Sequence, residues 1–196
     1  MKNIHSAFLA ACLAVLSSVA VPAQTGNTDA GPSAFASNTS GSYNAAFGAD
    51  ALYTNSTGDY NVAVGASALV ENTTGGSNTA LGTWSLFSNT GSYNTATGGA
   101  TLYQNTTGTF NTASGYTALY DNSTGENNTA VGADALVNNT TGNNNIALGI
   151  LAGYYLSDSS SNNIDIGSYG AANDESVIRI GTLSTQTAFF AAGIRG

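Results

Sequence analysis

The chain has very few of the residues that hold metals, form disulfides or attack substrates. Its 196 residues include one cysteine, Cys12, and one histidine, His5, and both fall in the amino-terminal segment. Without that segment, the chain could form no disulfide and would lack the usual zinc ligands and the usual base for a Ser or Cys nucleophile. The sequence therefore predicts a protein that is not an enzyme and that uses no cofactor and no metal.

Positive charge is also scarce. Lys2, Arg179 and Arg195 are the only cations, against eleven Asp and Glu, and the formal net charge is −8. An acidic chain with no cluster of basic residues has no electrostatic footprint for nucleic acid, so we expect no nucleic-acid partner.

Long apolar runs are missing outside the amino terminus. There, a short apolar stretch at 7–21 follows the positive Lys2, and small residues at 21–23 precede a cleavage site. The pattern predicts a signal peptide over residues 1–23, and the stretch is too short and too interrupted for a membrane-spanning helix. Leu9 to Cys12 also resembles a lipoprotein motif, although little apolar chain precedes Cys12. We expect export to the cell surface or the medium, with no transmembrane segment in the mature chain.

Repetition is what the chain has in abundance. The pattern N-x-A-x-G, then apolar residues around a Leu, then a turn such as N-T-T-G, recurs at spacings of 17, 17, 16, 17, 17 and 17 residues. The opening Asn residues are Asn44, Asn61, Asn78, Asn94, Asn111, Asn128 and Asn145. The Gly column is Gly48, Gly65, Gly82, Gly98, Gly115, Gly132 and Gly149, and the Leu column is Leu52, Leu69, Leu86, Leu102, Leu119 and Leu136. Such a fixed period predicts a solenoid, in which each coil contacts mainly its neighbours.

The columns also suggest how one coil is built. A Gly in every copy marks a corner that requires special backbone geometry or close chain approach. A second apolar residue follows the Leu in every copy from 52 to 137, which favours a strand that is buried on both faces. We therefore expect two short strands and two tight turns per coil. One coil buries too little apolar surface to fold alone. The second apolar face of the strands is covered most economically by further copies of the same chain, which predicts a homotrimer.

The array changes at both ends. A degenerate coil begins at Asn27, and an eighth unit begins at Asn163 with Asp165 in the Ala column. Beyond it, Ser176–Ile180 and Thr187–Ile194 are predicted to be two longer strands. The predicted domains are therefore the signal peptide at 1–23, a β-roll array at 24–170 and a terminal strand segment at 171–196.

Aromatic residues fall into two columns. Tyr43, Tyr60, Tyr93 and Phe110 immediately precede an opening Asn and are candidates for a contact surface, because aromatic rows can stack on sugars or peptide side chains. Tyr53, Phe87, Tyr103 and Tyr120 follow the Leu column and are interpreted as a subunit seam. Trp84 lies in the shortened copy and is expected to fill space there.

The turns contain triplets of the form N-x-[ST]. These triplets begin at Asn38, Asn55, Asn72, Asn105, Asn122 and Asn139. They match a glycosylation acceptor, but stacked Asn side chains also bond to one another along a coil array, and we favour that interpretation.

The repeated N-T-A-x-G-x-x-A-L with N-T-T-G turns resembles the YadA-type head repeats of trimeric autotransporter adhesins and of related exported bacterial β-strand-repeat proteins. The segments at 162–167, 178–181 and 190–194 resemble the ending of such arrays. The resemblance implies an all-β, left-handed parallel β-roll of coils of about 17 residues, with three chains wound together, displayed at the cell surface and often adhesive. The chain has no heptad stalk and no carboxy-terminal barrel, so we expect a natural continuation beyond Gly196 or end-to-end association.

The functional hypothesis is thus an exported structural and adhesive head-like protein, whose partners are itself and a surface, glycan or matrix protein. The alternatives are a non-adhesive spacer or fibre subunit and an ice- or mineral-binding solenoid. The Thr column for ice binding is Thr57, Thr74, Thr107, Thr124 and Thr141. That column lies in turns, which weakens the lattice argument. A polysaccharide-cleaving β-helix would need clustered carboxylates, whereas the acids here are scattered.

Overall fold

The computed structural model describes residues 25–182 and 185–186, and in this part the chain is all-β. Ten strands of three residues each follow one another along the chain. They are β1 Thr28–Ala30, β2 Ala45–Phe47, β3 Val62–Val64, β4 Thr79–Leu81, β5 Thr95–Thr97, β6 Thr112–Ser114, β7 Thr129–Val131, β8 Ile146–Leu148, β9 Ile164–Ile166 and β10 Ile178–Ile180. The predicted signal peptide, and the strand predicted at Thr187–Ile194, lie outside the described residues.

All ten strands form one parallel sheet in chain order. Each strand pairs with the next in a register that advances by one repeat, so that Ala46 pairs with Ala63, and Ala63 with Ala80. Parallel neighbours joined in sequence require the chain to return to the same edge after every strand, which is the geometry of a solenoid. The predicted β-solenoid of coils about 17 residues long is therefore confirmed. A coil here means the stretch from one opening Asn to the next.

The interior of the solenoid holds small residues and one large residue per coil. The middle residue of each strand from β2 to β8 is an Ala with 0% exposure, and the Leu residues from Leu52 to Leu136 are at most 1% exposed. The Leu column does not lie in a strand, however, and each coil contains one strand instead of the predicted two. Leu52 has a φ of 50°, and Leu102 has a φ of 52°. This left-handed conformation is incompatible with a strand and makes a corner that turns the Leu side chain inwards.

The Gly column makes a second corner by close approach of the chain to itself. Gly115 has a φ of 142°, and a Cβ added there would lie 2.4 Å from the carbonyl oxygen of Gly132 in the next coil. Both features exclude a side chain, because the backbones of successive coils touch at this point.

The opening Asn residues are buried and link successive coils, as an arrangement that we call the opening ladder. The Oδ1 of Asn44 accepts the backbone N–H of Asn61 at 2.8 Å, and its Nδ2 donates to the Gly58 carbonyl at 2.8 Å. The same pair of bonds recurs in the later coils, up to the bond from the Asn163 N–H to Asn145 at 3.0 Å. The side chain therefore satisfies backbone groups that the three-residue strand leaves unpaired at the corner.

A turn ladder runs parallel to it. The Nδ2 of Asn72 donates to Oδ1 of Asn55 at 2.9 Å and to the carbonyl of Gly75 at 2.8 Å. Equivalent Asn–Asn bonds join Asn38, Asn55, Asn72, Asn89, Asn105, Asn122 and Asn139. The predicted bonding between stacked turn Asn residues is confirmed. Asn55 to Asn139 are at most 2% exposed, so their amides are enclosed within the array.

The coil that begins at Asn78 has 16 residues, and the residue that it lacks is missing from its turn. Asn89 donates to the carbonyl of Gly91, two residues on, where the other turn Asn residues reach a Gly three residues on. Trp84 lies elsewhere in that coil and is 52% exposed. The expectation that Trp84 fills space in the coil is wrong. The shorter turn leaves no gap, because Asn89 keeps its turn-ladder bond to Asn72 and bonds to Gly91 within the turn.

At the carboxy-terminal end, β10 pairs with β9 and continues the sheet past residue 170. It spans Ile178–Ile180, which is shorter than the strand predicted at Ser176–Ile180. Asp165 takes the place of the interior Ala in β9 and pairs in register with Ala147. Its neighbour in β10 is Arg179, which forms an ion pair with Asp174 at 2.5 Å.

Candidate functional surfaces

The outward side of the sheet is one candidate surface. The first and third residues of β2 to β9 point away from the buried middle residue, because successive strand residues alternate in direction. We call these residues the sheet face. Many of them are apolar and partly exposed, including Phe47 at 43%, Leu81 at 39%, Val131 at 41% and Leu148 at 36%. The described part of the chain contains nothing that covers this stripe.

The middle of the sheet face carries a row of Thr. Thr79, Thr95, Thr112 and Thr129 occupy the first position of four successive strands, in direct register. Thr97 and Ser114 occupy the third position of β5 and β6. The sequence analysis placed the candidate Thr column in the turns and missed this row on the sheet face. The T-A-x-G motif, in which a Thr precedes the interior Ala of these copies, could have revealed it.

The four aromatic residues singled out as contact candidates lie at a corner just before the strands, which we call the corner row. Their exposures are 54% for Tyr43, 60% for Tyr60, 57% for Tyr93 and 56% for Phe110. Their φ angles of 57° to 62° turn the chain there. Tyr43 stacks on Tyr60 with ring centroids 5.1 Å apart, and Tyr93 stacks on Phe110 at 4.8 Å. Ser77 separates the two pairs, so the structure forms two short stacks instead of one continuous row.

The second aromatic column also stacks. Phe87, Tyr103 and Tyr120 form a continuous pile with centroid distances of 4.9 and 5.1 Å. These three rings are half-buried, whereas Tyr53 at the start of the column is 40% exposed. Their mutual contact explains their burial within one chain. The seam interpretation remains a prediction.

A third group of aromatic residues lies where the repeat breaks, and sequence reasoning did not identify it. Tyr154, Tyr155 and Tyr169 line a groove of about 640 Å³ together with Asp134, Val137, Asn138 and Leu151. The sequence signal was Gly153 in the Leu column with two Tyr directly after it.

Three of the acidic side chains, Asp134, Asp121 and Asp158, lie in the groove or in the depression next to it. Burial raises the pKa of the Asp121 carboxyl, with a further contribution from the nearby charge of Asp158. Asp165 is buried in the last coils, and its Oδ1 has no hydrogen-bond partner among the described residues. In the part of the chain that the structure describes, no three His, Cys, Asp or Glu side chains come together as a metal site would require.

The described residues also contain no helix with the length and apolar character needed to cross a membrane. Comparison with known proteins gives no match to this chain among family models, curated proteins or solved structures.

Proposed function

We propose that this chain is an exported structural and adhesive protein that assembles as a homotrimer and presents a repetitive β surface. The observation that carries the proposal is the sheet face, an uncovered surface whose apolar residues lie in β2 to β4 and in β7 to β9, on either side of the polar strands β5 and β6. Soluble monomers rarely leave contiguous apolar patches of this kind in water, and such patches mark an interaction surface.

The repetition along the stripe supports self-association. Its eight strands, β2 to β9, lie about 4.8 Å apart and are each about 10 Å long, which gives roughly 340 Å² per chain. A solenoid has the same residues at every level, so a second chain placed alongside meets an equivalent stripe over the full length. Three such stripes around one axis cover one another, which gives a closed assembly with identical interfaces. The resemblance to YadA-type head repeats favours this arrangement and a left-handed winding.

The corner row supports the adhesive part of the proposal. Its rings stand at a corner and not on the sheet face, so trimerisation through the sheet face leaves them accessible. Exposed aromatic rings offer large, rigid contact area at a low cost in side-chain entropy. We propose a surface, glycan or matrix protein as the target.

Assembly is tested by light scattering on residues 24–196. We expect one species of three chains for the wild type. Replacing Leu81 and Leu148 by Arg should give folded monomers with unchanged β-type circular dichroism, because both side chains already point outwards. Tyr60→Ala, on the corner row, is the matched control and should remain trimeric. A monodisperse wild-type monomer would contradict the assembly proposal.

Adhesion is tested by binding of the wild type and of the Tyr60→Ala, Tyr93→Ala double variant to cells and to immobilised matrix proteins. We expect weaker retention of the variant with an intact oligomer. A trimer that binds no surface would make the protein a spacer.

The Thr row on the sheet face favours a second candidate, an ice- or mineral-binding solenoid. Four Thr in register on a flat sheet form the regular hydroxyl array that the turn Thr residues could not provide. This function needs an uncovered sheet face, so it is incompatible with the trimer. Thermal hysteresis in a wild-type monomer, abolished by Thr95→Tyr, would favour it, whereas a trimer without hysteresis would eliminate it.

A further inference from the structure

The strongest unassigned feature is the groove where the repeat breaks. In the coil that begins at Asn145, Gly153 replaces the Leu of the earlier coils and Leu156 takes the place of the turn Asn. A Cβ on Gly153 would lie 2.7 Å from Leu136 Cδ2 and 3.4 Å from Leu156 Cδ1, so these two Leu side chains fill the space of the missing one. The interior is thereby restored, and the coil places two adjacent Tyr on its surface.

The rings in this groove meet at an angle that occurs nowhere in the regular rows. Tyr155 contacts Tyr154 with centroids 5.2 Å apart and planes at 84°, and it contacts Tyr169 at 5.9 Å and 73°. In the parallel stacks of the corner row, each ring covers the face of its neighbour. The edge contacts here leave ring faces open towards the groove, and Tyr155 and Tyr169 are 58% and 43% exposed.

Polar groups with fixed positions flank the rings. Asn138 Nδ2 donates to the Tyr154 carbonyl at 2.9 Å, and the Thr117 hydroxyl donates to the Asp134 carboxylate. The groove continues into an adjoining depression of about 540 Å³, where Gln104 Nε2 donates to Asp121 Oδ1 at 2.6 Å and Asp158 lies on the wall. Both volumes fall within the range of small-molecule sites, in which a few oriented polar groups are set among aromatic walls.

We propose that this tyrosine groove binds a neutral oligosaccharide. Sugar rings combine an apolar C–H face, which suits the electron-rich face of a Tyr, with hydroxyl groups that donate to carboxylate and amide oxygens. The carboxylates of Asp134, Asp121 and Asp158, on a chain of net charge −8, disfavour uronic or sulfated saccharides. This inference goes beyond the proposed function, because it assigns a binding site in the groove that is separate from the corner row.

The position of the groove argues for a saccharide over a second copy of the chain. A second copy would run along the array and meet the same residues in every coil, whereas the angled Tyr cluster occurs in one coil. The two joined depressions form an elongated site, which suits a short run of linked sugars.

The test is calorimetric titration of residues 24–196 with chitohexaose, cellohexaose, laminarihexaose and mannohexaose, with oligogalacturonate as the acidic counterpart. We expect saturable binding of at least one neutral oligomer. Tyr155→Ala should weaken that binding about tenfold, because stacking area is lost. Tyr155→Phe keeps the ring and should stay within about threefold. Trp84→Ala removes an exposed aromatic side chain that lies neither in the groove nor on the corner row, and it should bind like the wild type.

Three results would overturn the inference: no binding of any neutral oligomer, equal binding by Tyr155→Ala with unchanged circular dichroism, or tighter binding of oligogalacturonate. The proposed function fails on different evidence, namely a monomeric wild type or one that no surface retains. Retention on a surface without any saccharide binding would reject the groove alone.

Discussion

The regular coils between Asn44 and Asn145 and the closing coils after Asn145 fill the same cross-section with different residues. A regular coil places two Ala or similarly small residues and one Leu in its interior, and a buried Asn on each of the two ladders. The closing coils have Gly153 and Leu156 in place of the Leu and the turn Asn, and Asp165 in place of the Ala. The turn ladder therefore stops at Asn139.

The opening ladder outlasts the turn ladder. Asn163 still bonds to the coils on both sides of it. Its N–H donates to Asn145 Oδ1, and its own Oδ1 accepts from the Val177 N–H at 2.9 Å. The opening Asn of each coil accepts the backbone N–H that precedes the strand of the next coil, from β2 to β10. The turn Asn bonds to the Asn of the neighbouring turn and to the Gly carbonyl of its own turn, and a longer turn with Leu156 and Ser160 takes its place in the coil that begins at Asn145. The coil in which the turn ladder ends also contributes Tyr154 and Tyr155 to the tyrosine groove.

The largest effect should come from a charge in the regular interior. Leu102→Asp buries an unpaired carboxylate at a fully enclosed site, and we expect a loss of at least about 4 kcal/mol, which is a large part of the stability of a typical domain. Leu151→Asp is the matched control, because the half-buried Leu151 lies in the column of Asp50 and Asp134. Urea denaturation followed by circular dichroism measures both. Equal losses would contradict the interior assignment.

A methyl group at the Gly corner should have the next largest effect. Gly115→Ala places a Cβ against the Gly132 carbonyl in a φ region that Ala rarely adopts, and we expect a loss of about 3 kcal/mol. Gly99→Ala is the control, because its Cβ would make ordinary contacts with the Tyr116 ring at 3.4 Å and the Thr83 carbonyl oxygen at 4.0 Å. Thermal melts compare the two. A Gly115→Ala variant as stable as Gly99→Ala would show that the coils do not touch there.

The turn ladder provides a smaller test. In Asn105→Asp a carboxylate oxygen replaces Nδ2 and faces the Asn89 Oδ1 and the Gly108 carbonyl, both of which are acceptors. We expect a loss of about 2–3 kcal/mol, because buried acceptors lose their donor. The exposed Asn127, changed to Asp, should cost under about 0.5 kcal/mol. Chemical denaturation at neutral pH distinguishes the two, and similar values would argue that the turn amides contribute nothing to stability.

The smallest effect should be confined to the closing coils and should depend on pH. Burial raises the pKa of Asp165 above its ordinary value of 3.8, and the charge of Asp174 adds to this, while a Ser168 hydrogen bond and Arg179 oppose it. A raised pKa means that the stabilising contribution is fully present below pH 3.8 and is lost as the pH rises through the folded-state pKa. Asp165→Asn should therefore stabilise the closing coils at neutral pH and flatten their pH dependence.

Hydrogen exchange of the β9 and β10 amides between about pH 4 and pH 7 measures this effect. The hydrogen bond from Arg179 lowers the pKa of Asp174, so its contribution is present above pH 3.8 and is lost only at more acidic pH. Between pH 4 and pH 7, the stability of the closing coils should therefore change through Asp165 and not through Asp174. Identical pH profiles for the wild type and Asp165→Asn would show that Asp165 is not desolvated.

Several elements were predictable because they depend on period alone. The 17-residue spacing fixed the solenoid, and the stacked turn Asn residues followed from placing identical turns above one another. The single strand per coil was not predictable, since an apolar pair such as Leu52 and Tyr53 also fits a strand. The left-handed φ of the Leu decided the matter, and a sequence pattern does not reveal that angle.

By itself, the sequence determined that the chain stacks coil on coil, because each repeat has too little apolar area to fold without neighbours of the same kind. Only the tertiary structure decided which side of each column faces inwards. That choice depends on corners with positive φ and on hydrogen bonds between residues about one coil apart. For the same reason, the sheet face, the role of the opening Asn and the angled rings at Tyr154 and Tyr155 became visible only once the coils were stacked.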